Sequence, residues 1–260
     1  MPTSRRSSAR AFGTSRRPAE RARARSVTVR TATGVVTLGR ARDPVRDETH
    51  AVRHEYARAA ADYDRRWLGY VAASVRGTLR RLALRPAERL LDVGCGTGAL
   101  LEAVRSAHPG VRAIGVDLAP EMLRVARRKL PDTVALVAAD AARLPFGAKS
   151  FDVVVSSSSF HYWPDPAAAL RELRRVLRPG GRFAITDWCD DYVTCRVCDL
   201  VLRITNPAHR RAYGSGECVR LLRSAGFAEP HVEPYKINWL WGLMTATAAR
   251  PTVRAAPPSP

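Results

Sequence analysis

Residues 89–99 read R-L-L-D-V-G-C-G-T-G-A. A short apolar run closes on Asp92 and Val93, and three glycines follow within five residues, at Gly94, Gly96 and Gly98. Gly94 lets the chain leave a strand in a conformation that side chains disfavour. Gly96 removes a side chain where backbone must approach a ligand. Gly98 lets the next helix start close against the strand. The free N–H groups of that helix attract a carboxylate or a phosphate. The stretch therefore predicts strand, ligand-binding loop and helix, because a bare turn does not need three such residues.

Working outward, strands and helices alternate. Residues 100–107 suit a helix, and 111–116 a second strand closed by Asp117. Pro120 fits a first helical turn, with Met122, Leu123, Ala126 and Leu130 on one inner face. Residues 134–139 make a third strand before Asp140, and 151–156 a fourth. Asp165 and Pro166 are a cap and first turn for the helix lined by Leu170, Leu173, Val176 and Leu177. Pro179-Gly180-Gly181 reads as a turn, and 182–186 as a fifth strand. Val193, Val197, Leu200, Val201 and Ile204 form an amphipathic helix. Ser215 caps another, which Gly226 stops, and 231–237 and 239–246 suit closing strands. Upstream, 48–84 is helical, with Tyr56, Ala60, Tyr63, Trp67 and Val71 on one aromatic face. Apolar strands separated by amphipathic helices predict an α/β, doubly wound parallel sheet covered on both sides. Ligands of such sheets sit beyond the strand carboxyl ends. That places the site at residues 94–98, Asp117, Asp140 and 156–161.

The 260 residues are 46% hydrophobic, enough for a sizeable core, and contain no run long and apolar enough to span a membrane. The net charge is +19. Residues 1–46 hold twelve arginines against Glu20 and Asp43. They lack sustained apolar periodicity and are expected as a basic disordered arm, with a short extended piece at 27–38. Residues 47–248 are expected as the folded domain (47–86 a helical lid, 87–248 the core), and 249–260 as a disordered tail rich in Pro and Ala. The arm lacks the aromatic interleaving of a base-stacking segment, so no specific nucleic acid is expected. Peripheral contact with an anionic membrane is compatible with its charge. Five cysteines, an odd number, and no signal-peptide core point to reduced thiols and a cytoplasmic location. Cys195-x-x-Cys198 lies within a helix and lacks a fourth ligand at useful spacing, so no metal is expected.

The glycine loop alone leaves two cofactors open. Gly94, Gly96 and Ala99 also fit the dinucleotide pattern, with Asp117 at about the expected distance. The blocks that follow are L-D-V-G-C-G-T-G, G-V-D-L-A-P-E-M-L, D-A-A-R-L-P-F, S-F-D-V-V-V-S-S-S-S-F-H-Y-W and L-R-E-L-R-R-V-L-R-P-G-G-R-F. Together, over residues 88–187, they resemble the small-molecule class I S-adenosylmethionine-dependent methyltransferases of the ubiquinone/menaquinone-methyltransferase-like type (methyltransferase type 11). The resemblance implies a seven-stranded, mostly parallel, Rossmann-like sheet with an N-terminal helical lid, and S-adenosylmethionine as cofactor. It implies that Asp92, Gly94, Gly96 and Gly98 surround the methionine portion and that Asp117 holds the ribose. Leu118 and Met122 would pack on adenine, Asp140 and Ala141 read its edge, and Ser156 and Ser157 lie under the sulfonium. Ala119 departs from the family's frequent hydroxyl residue, which costs a helix cap.

Transfer from a sulfonium is an in-line displacement, so the protein mainly aligns the partners and excludes water. A base is needed only if the acceptor carries a proton. His161 is the candidate, either as that base or as a positioning residue. Tyr56, Tyr63 and Trp67 before the core, and Tyr162, Trp163 and Trp188 after the fourth and fifth strands, are candidates for an apolar or aromatic acceptor pocket. Two rival functions remain. An NAD(P)-dependent oxidoreductase would use the same loop, but no hydride-transfer set such as Tyr-x-x-x-Lys stands out. A nucleic-acid methyltransferase would suit the charge, but its [DNS]-P-P-[YFW] signature is replaced by S-S-S-S-F-H-Y-W.

Overall fold

A computed structural model describes residues 27–31, 34–38, 44–206 and 208–252. Two units divide the chain near residue 42. In the first, β1 (Val27–Thr31) and β2 (Gly34–Leu38) pair as an antiparallel hairpin, with Val27 opposite Leu38. This occupies the piece expected to be extended within the arm. The rest of the arm up to residue 43, and the tail from residue 253, lie outside the described residues.

The second unit begins with α1 (Pro44–Ala59) and α2 (Tyr63–Arg80); α2 lies inside the segment expected as a helical lid, while α1 starts three residues earlier, within the stretch expected as a disordered arm. Its sheet contains β3 (Arg89–Val93), β4 (Arg112–Asp117), β5 (Ala135–Ala138), β6 (Phe151–Ser157), β7 (Leu177–Trp188), β8 (Ala228–Lys236) and β9 (Gly242–Ala249). The strand order is β5-β4-β3-β6-β7-β9-β8. The first five run parallel, and β9 is antiparallel to both β7 and β8. The remaining helices are α3 (Ala99–Ala107), α4 (Pro120–Lys129), α5 (Pro166–Val176), α6 (Val193–Thr205) and α7 (Ser215–Ser224). This is the doubly wound, mostly parallel seven-stranded sheet that the sequence predicts.

The central strands β3 and β6 are largely apolar because both faces of the sheet are covered there. Successive residues of β3 and β6 split between two cores. Leu91 and Val154 join Phe183, Leu170 and Leu173 on the α5 side. Leu90 and Val153 join Leu101, Val104 and Val75 on the side of α3 and α2. Burying one such aliphatic side chain contributes about 1.5–3 kcal/mol. The order reverses at β3, whose neighbours are β4 and β6, so a crevice opens at its carboxyl end.

The structure departs locally from what the sequence predicts. Pro179-Gly180-Gly181 lies within β7 rather than in a turn before it. Gly180 bends the strand with a φ of 74°. Its N–H still donates to the Arg250 carbonyl, and the Arg250 N–H to Gly181, so pairing continues through the bend. Ser215 is the first residue of α7 and not its cap. Its N–H is taken by the Asp191 carboxylate at 3.2 Å. Ala249 and Arg250, expected in the tail, belong to the folded unit: Ala249 ends β9, and the Arg250 guanidinium donates to the carbonyls of Arg174 and Leu177 at 2.7 and 2.6 Å. Asp165 caps α5 as expected, accepting from the Ala168 N–H.

Candidate active site

The loop after β3 takes its shape from its glycines. Gly94, Gly96 and Gly98 have φ of 75°, 53° and 83°, all in the left-handed region. A methyl group added at Gly98 would meet Leu130, just past α4, and Ala126 of α4 at 2.8 and 3.2 Å. The N–H groups of Gly94 and Cys95 both donate to the Val116 carbonyl, which ties the loop to β4. At the end of β4, Asp117 accepts from the N–H groups of Gly96 and Ala119, each at 2.8 Å. This carboxylate therefore braces the loop while retaining further lone pairs.

Asp92 contrasts with it. It is 1% exposed, and neither of its carboxylate oxygens has a hydrogen-bond partner. Burial, with the nearby Asp117 charge adding to it, pushes Asp92 up to about 8. Burial also raises Asp117, but the backbone N–H groups of Ala119 and Gly96 hold it to about 6. A buried carboxylate without a partner is costly and is kept where something else pairs with it.

Both acids face a cavity that opens to solvent. Of the residues expected to hold a cofactor, Asp92, Gly94, Gly96, Asp117, Leu118, Met122, Asp140, Ala141 and Ser157 line it. Gly98 does not, being packed against α4. Ser156 does not either, since it is fully buried and bonded to Ser159 at 2.7 Å. Of the aromatic set, Tyr56, Tyr63, Tyr162 and Trp163 line the cavity. The Tyr56 ring meets those of Tyr162 and Tyr63 at 5.1 and 5.9 Å. Burial raises the phenol pKa of all three tyrosines, so they stay protonated near neutral pH. Trp67 packs instead against Tyr70 and Trp241. Trp188 is buried behind the wall, its indole N–H bonded to the Tyr70 hydroxyl at 2.8 Å.

His161 also lies behind the wall. It is 3% exposed, with Nδ1 at 2.6 Å from Asp187 and its ring stacked on Trp188 at 5.0 Å. Its neighbour Tyr162, whose ring lies 4.1 Å away, is the one that reaches the cavity.

The fold has close counterparts. A putative methyltransferase from Haloferax volcanii, solved with its activator, superposes with a TM-score of 0.69 at 23% identity, covering 76% of this chain and 98% of that one. Residues 91–185, which carry the glycine loop, both carboxylates and His161, match the family described as a methyltransferase domain. Residues 91–185 thus carry a methyltransferase domain that resembles the class I S-adenosylmethionine-dependent enzymes. A demethylmenaquinone methyltransferase from Beutenbergia cavernae is 40% identical over 113 residues, 44% of this chain and 46% of that protein. A malonyl-[acyl-carrier protein] O-methyltransferase from Geobacter sulfurreducens is 44% identical over 140 residues, 51% of each. The chain thus spans about half the length of the curated relatives it matches.

Several residues of this methyltransferase domain escaped the sequence reading. The Ser74 hydroxyl on α2 bonds those of Ser157 and Ser158 at 2.6 and 3.0 Å, and the Tyr70 hydroxyl donates to Ser158. The S-S-S-S run at 156–159 was visible, but its partners lie more than 80 positions away. Asp64, on the first turn of α2, accepts from Thr97 of the glycine loop at 2.5 Å and from Lys129 of α4 at 2.7 Å. This latch ties the lid to the loop. Its ion pair is partly exposed and contributes little stability by itself. Asp64→Ala should therefore leave the melting temperature nearly unchanged while adenosylhomocysteine dissociates severalfold faster in stopped-flow displacement. An unchanged dissociation rate would show that the latch does not hold the lid over the cavity.

Proposed function

We propose that this chain transfers a methyl group from S-adenosylmethionine to a small acceptor that is apolar or aromatic. The observation that carries this reading is the unpartnered Asp92 carboxylate on the cavity wall beside Asp117. Two buried acids favour a cationic ligand. A dinucleotide would instead bring a diphosphate to the start of α3, next to both carboxylates, which argues against the oxidoreductase alternative.

When bound, S-adenosylmethionine supplies a methyl group on a sulfonium, which leaves as a neutral thioether. In our assignment Asp92 pairs with the cationic methionine end, and Gly94 and Gly96 let backbone approach it. Asp117 accepts from the ribose hydroxyls, while Leu118 and Met122 pack on adenine. Asp140, whose carboxylate already takes the Ala142 N–H at 2.9 Å, receives the adenine amine with its remaining lone pairs. Ser157 and the lid residue Ser74 close the wall near the methyl group. The tyrosine trio of Tyr56, Tyr63 and Tyr162 offers flat apolar faces with protonated hydroxyls, which suits an aromatic or lipid-like acceptor. The relatives named for demethylmenaquinone and malonyl-[acyl-carrier protein] fit an acceptor other than nucleic acid. Incubating the protein with methyl-labelled cofactor and a panel of lipids, quinol precursors and aromatic metabolites tests the reading. Label should reach one of these classes, and transfer to RNA or DNA alone would overturn it.

His161 fits a positioning role better than a base role, because Tyr162 stands between it and the cavity. Held by Asp187, it would fix Tyr162 and Trp188 in place. His161→Asn keeps one hydrogen bond to Asp187, so we expect kcat to fall less than about tenfold with an unchanged pH profile. Loss of a general base would cost roughly 10²–10⁴-fold and remove one limb of the profile. That result would return His161 to the reacting atoms.

We also take the unit from residue 43 onward as the working domain, with a cytoplasmic location suggested by its five free cysteines. No helix among the described residues is long and apolar enough to cross a membrane. Deleting residues 1–42 should shift the melting temperature by only about 2 °C or less and leave adenosylhomocysteine affinity intact. A larger drop in differential scanning calorimetry would show that the hairpin unit supports the core.

A further inference from the structure

Most of the large apolar side chains left exposed among the described residues gather around one aromatic cluster. Five stand on α6: Val193, Val197, Leu200, Val201 and Ile204, between 51% and 79% exposed. Their spacing of four, three, one and three makes a single stripe. The opposite side of α6 is spent on the protein itself. Cys195 and Asp199 are buried there, and Cys198 and Leu202 pack with Tyr70, Trp188 and Trp241. One more exposed side chain borders the same cluster. Trp239, 79% exposed, lies in the β8–β9 loop beside Leu240, whose carbonyl touches the Cys195 thiol.

Cations rim this face. Arg196 and Arg203 flank the stripe on α6, with side chains 61% and 45% exposed. Arg66 lies over the Trp67 ring, and Lys236 reaches the Trp239 carbonyl at 3.4 Å. Of the acids paired with them, Asp199 is buried on the inner side of α6 and Asp190 is held by Arg196.

We propose that this face docks on an anionic lipid surface. The α6 stripe and Trp239 would enter the acyl boundary, and the rim cations would meet the headgroups. An amphipathic helix with its apolar side outward, a neighbouring exposed tryptophan and flanking cations is the combination that such binding uses. A second copy of the chain suits the face less well. It would press like-charged rims together between chains that each carry +19. The surface uses none of the cavity residues, so it does not rest on the methyl-transfer reading.

The test is partition of the full chain onto vesicles of mixed phosphatidylglycerol and phosphatidylcholine. Leu200→Gln combined with Ile204→Gln removes apolar surface without altering any charge, including that of the arm. The parent should partition well, and the double variant about tenfold more weakly or worse, with unchanged melting and adenosylhomocysteine affinity. Brominated lipid should quench the parent's fluorescence, and Trp239→Phe should remove most of that quenching. Equal partition of parent and double variant would mean that charge alone carries binding, and would overturn the proposal. So would absence of parental binding, quenching unaffected by Trp239→Phe, or a dimer in the ultracentrifuge that the double variant abolishes.

Discussion

Asp117→Ala is expected to weaken adenosylhomocysteine binding on the order of a hundredfold. In our assignment the carboxylate accepts from two ribose hydroxyls, and a hydrogen bond to a charged group contributes about 1.5–3 kcal/mol. The same carboxylate braces the loop through the N–H groups of Gly96 and Ala119, so its removal also releases two backbone donors at the cavity edge. Asp117→Asn separates these contributions. Its amide oxygen can still accept one backbone N–H, but the charge is gone, so the loss should be smaller than for alanine. Titration calorimetry checks both, with far-ultraviolet dichroism to show that the sheet is intact. Unchanged affinity in a folded Asp117→Ala protein would remove Asp117 from the ribose site.

Asp92→Asn should act in opposite directions on binding and on stability. The folded, ligand-free chain holds the Asp92 proton up to about pH 8, whereas the unfolded chain releases it near 3.8. Within that window the folded state binds more protons, so Asp92 makes stability fall as pH rises from about 4 to 8. Asparagine cannot ionise, so the variant should melt higher than the parent at pH 8, and the gap should close towards pH 4. Cofactor affinity should fall about 10–100-fold at pH 8, because a charge-assisted contact to the ammonium is lost. A variant that binds as tightly as the parent, or melts lower at pH 8, would contradict the role given to Asp92.

The sheet was legible because its first strands, β3 to β5, are short apolar runs closed by Gly or Asp, and its helices carry inner faces at regular spacing. Asp92, the three glycines and Asp117 could be found for the same reason: strand ends in a doubly wound sheet converge on one crevice. The orientation of side chains behind the wall could not be read. His161, Trp188 and Trp67 are of the right types and near the right strand ends or lid, yet each points into packing with Asp187, Tyr70 or Trp241. Which side of a short turn a side chain takes depends on partners distant in sequence, as Asp187 is from His161. Ser74 and Asp64 were missed on similar grounds, since a single polar residue on a lid helix carries no periodic signal. At Pro179-Gly180-Gly181 the turn residues do bend the chain, but Arg250 keeps the bent segment in the sheet. The periodicity of α6 predicts an amphipathic helix, and its apolar stripe faces outward because Cys195, Asp199 and Leu202 hold the inner side.

The central claim is that the two carboxylates hold a cationic adenosyl ligand, and calorimetric titration at pH 7 in buffers of different ionisation enthalpy tests it most directly. Adenosylhomocysteine should bind at one site per chain with release of a proton from Asp92, and NAD should bind far more weakly or not at all. Tighter binding of NAD, or adenosylhomocysteine binding with no proton released, would contradict the account.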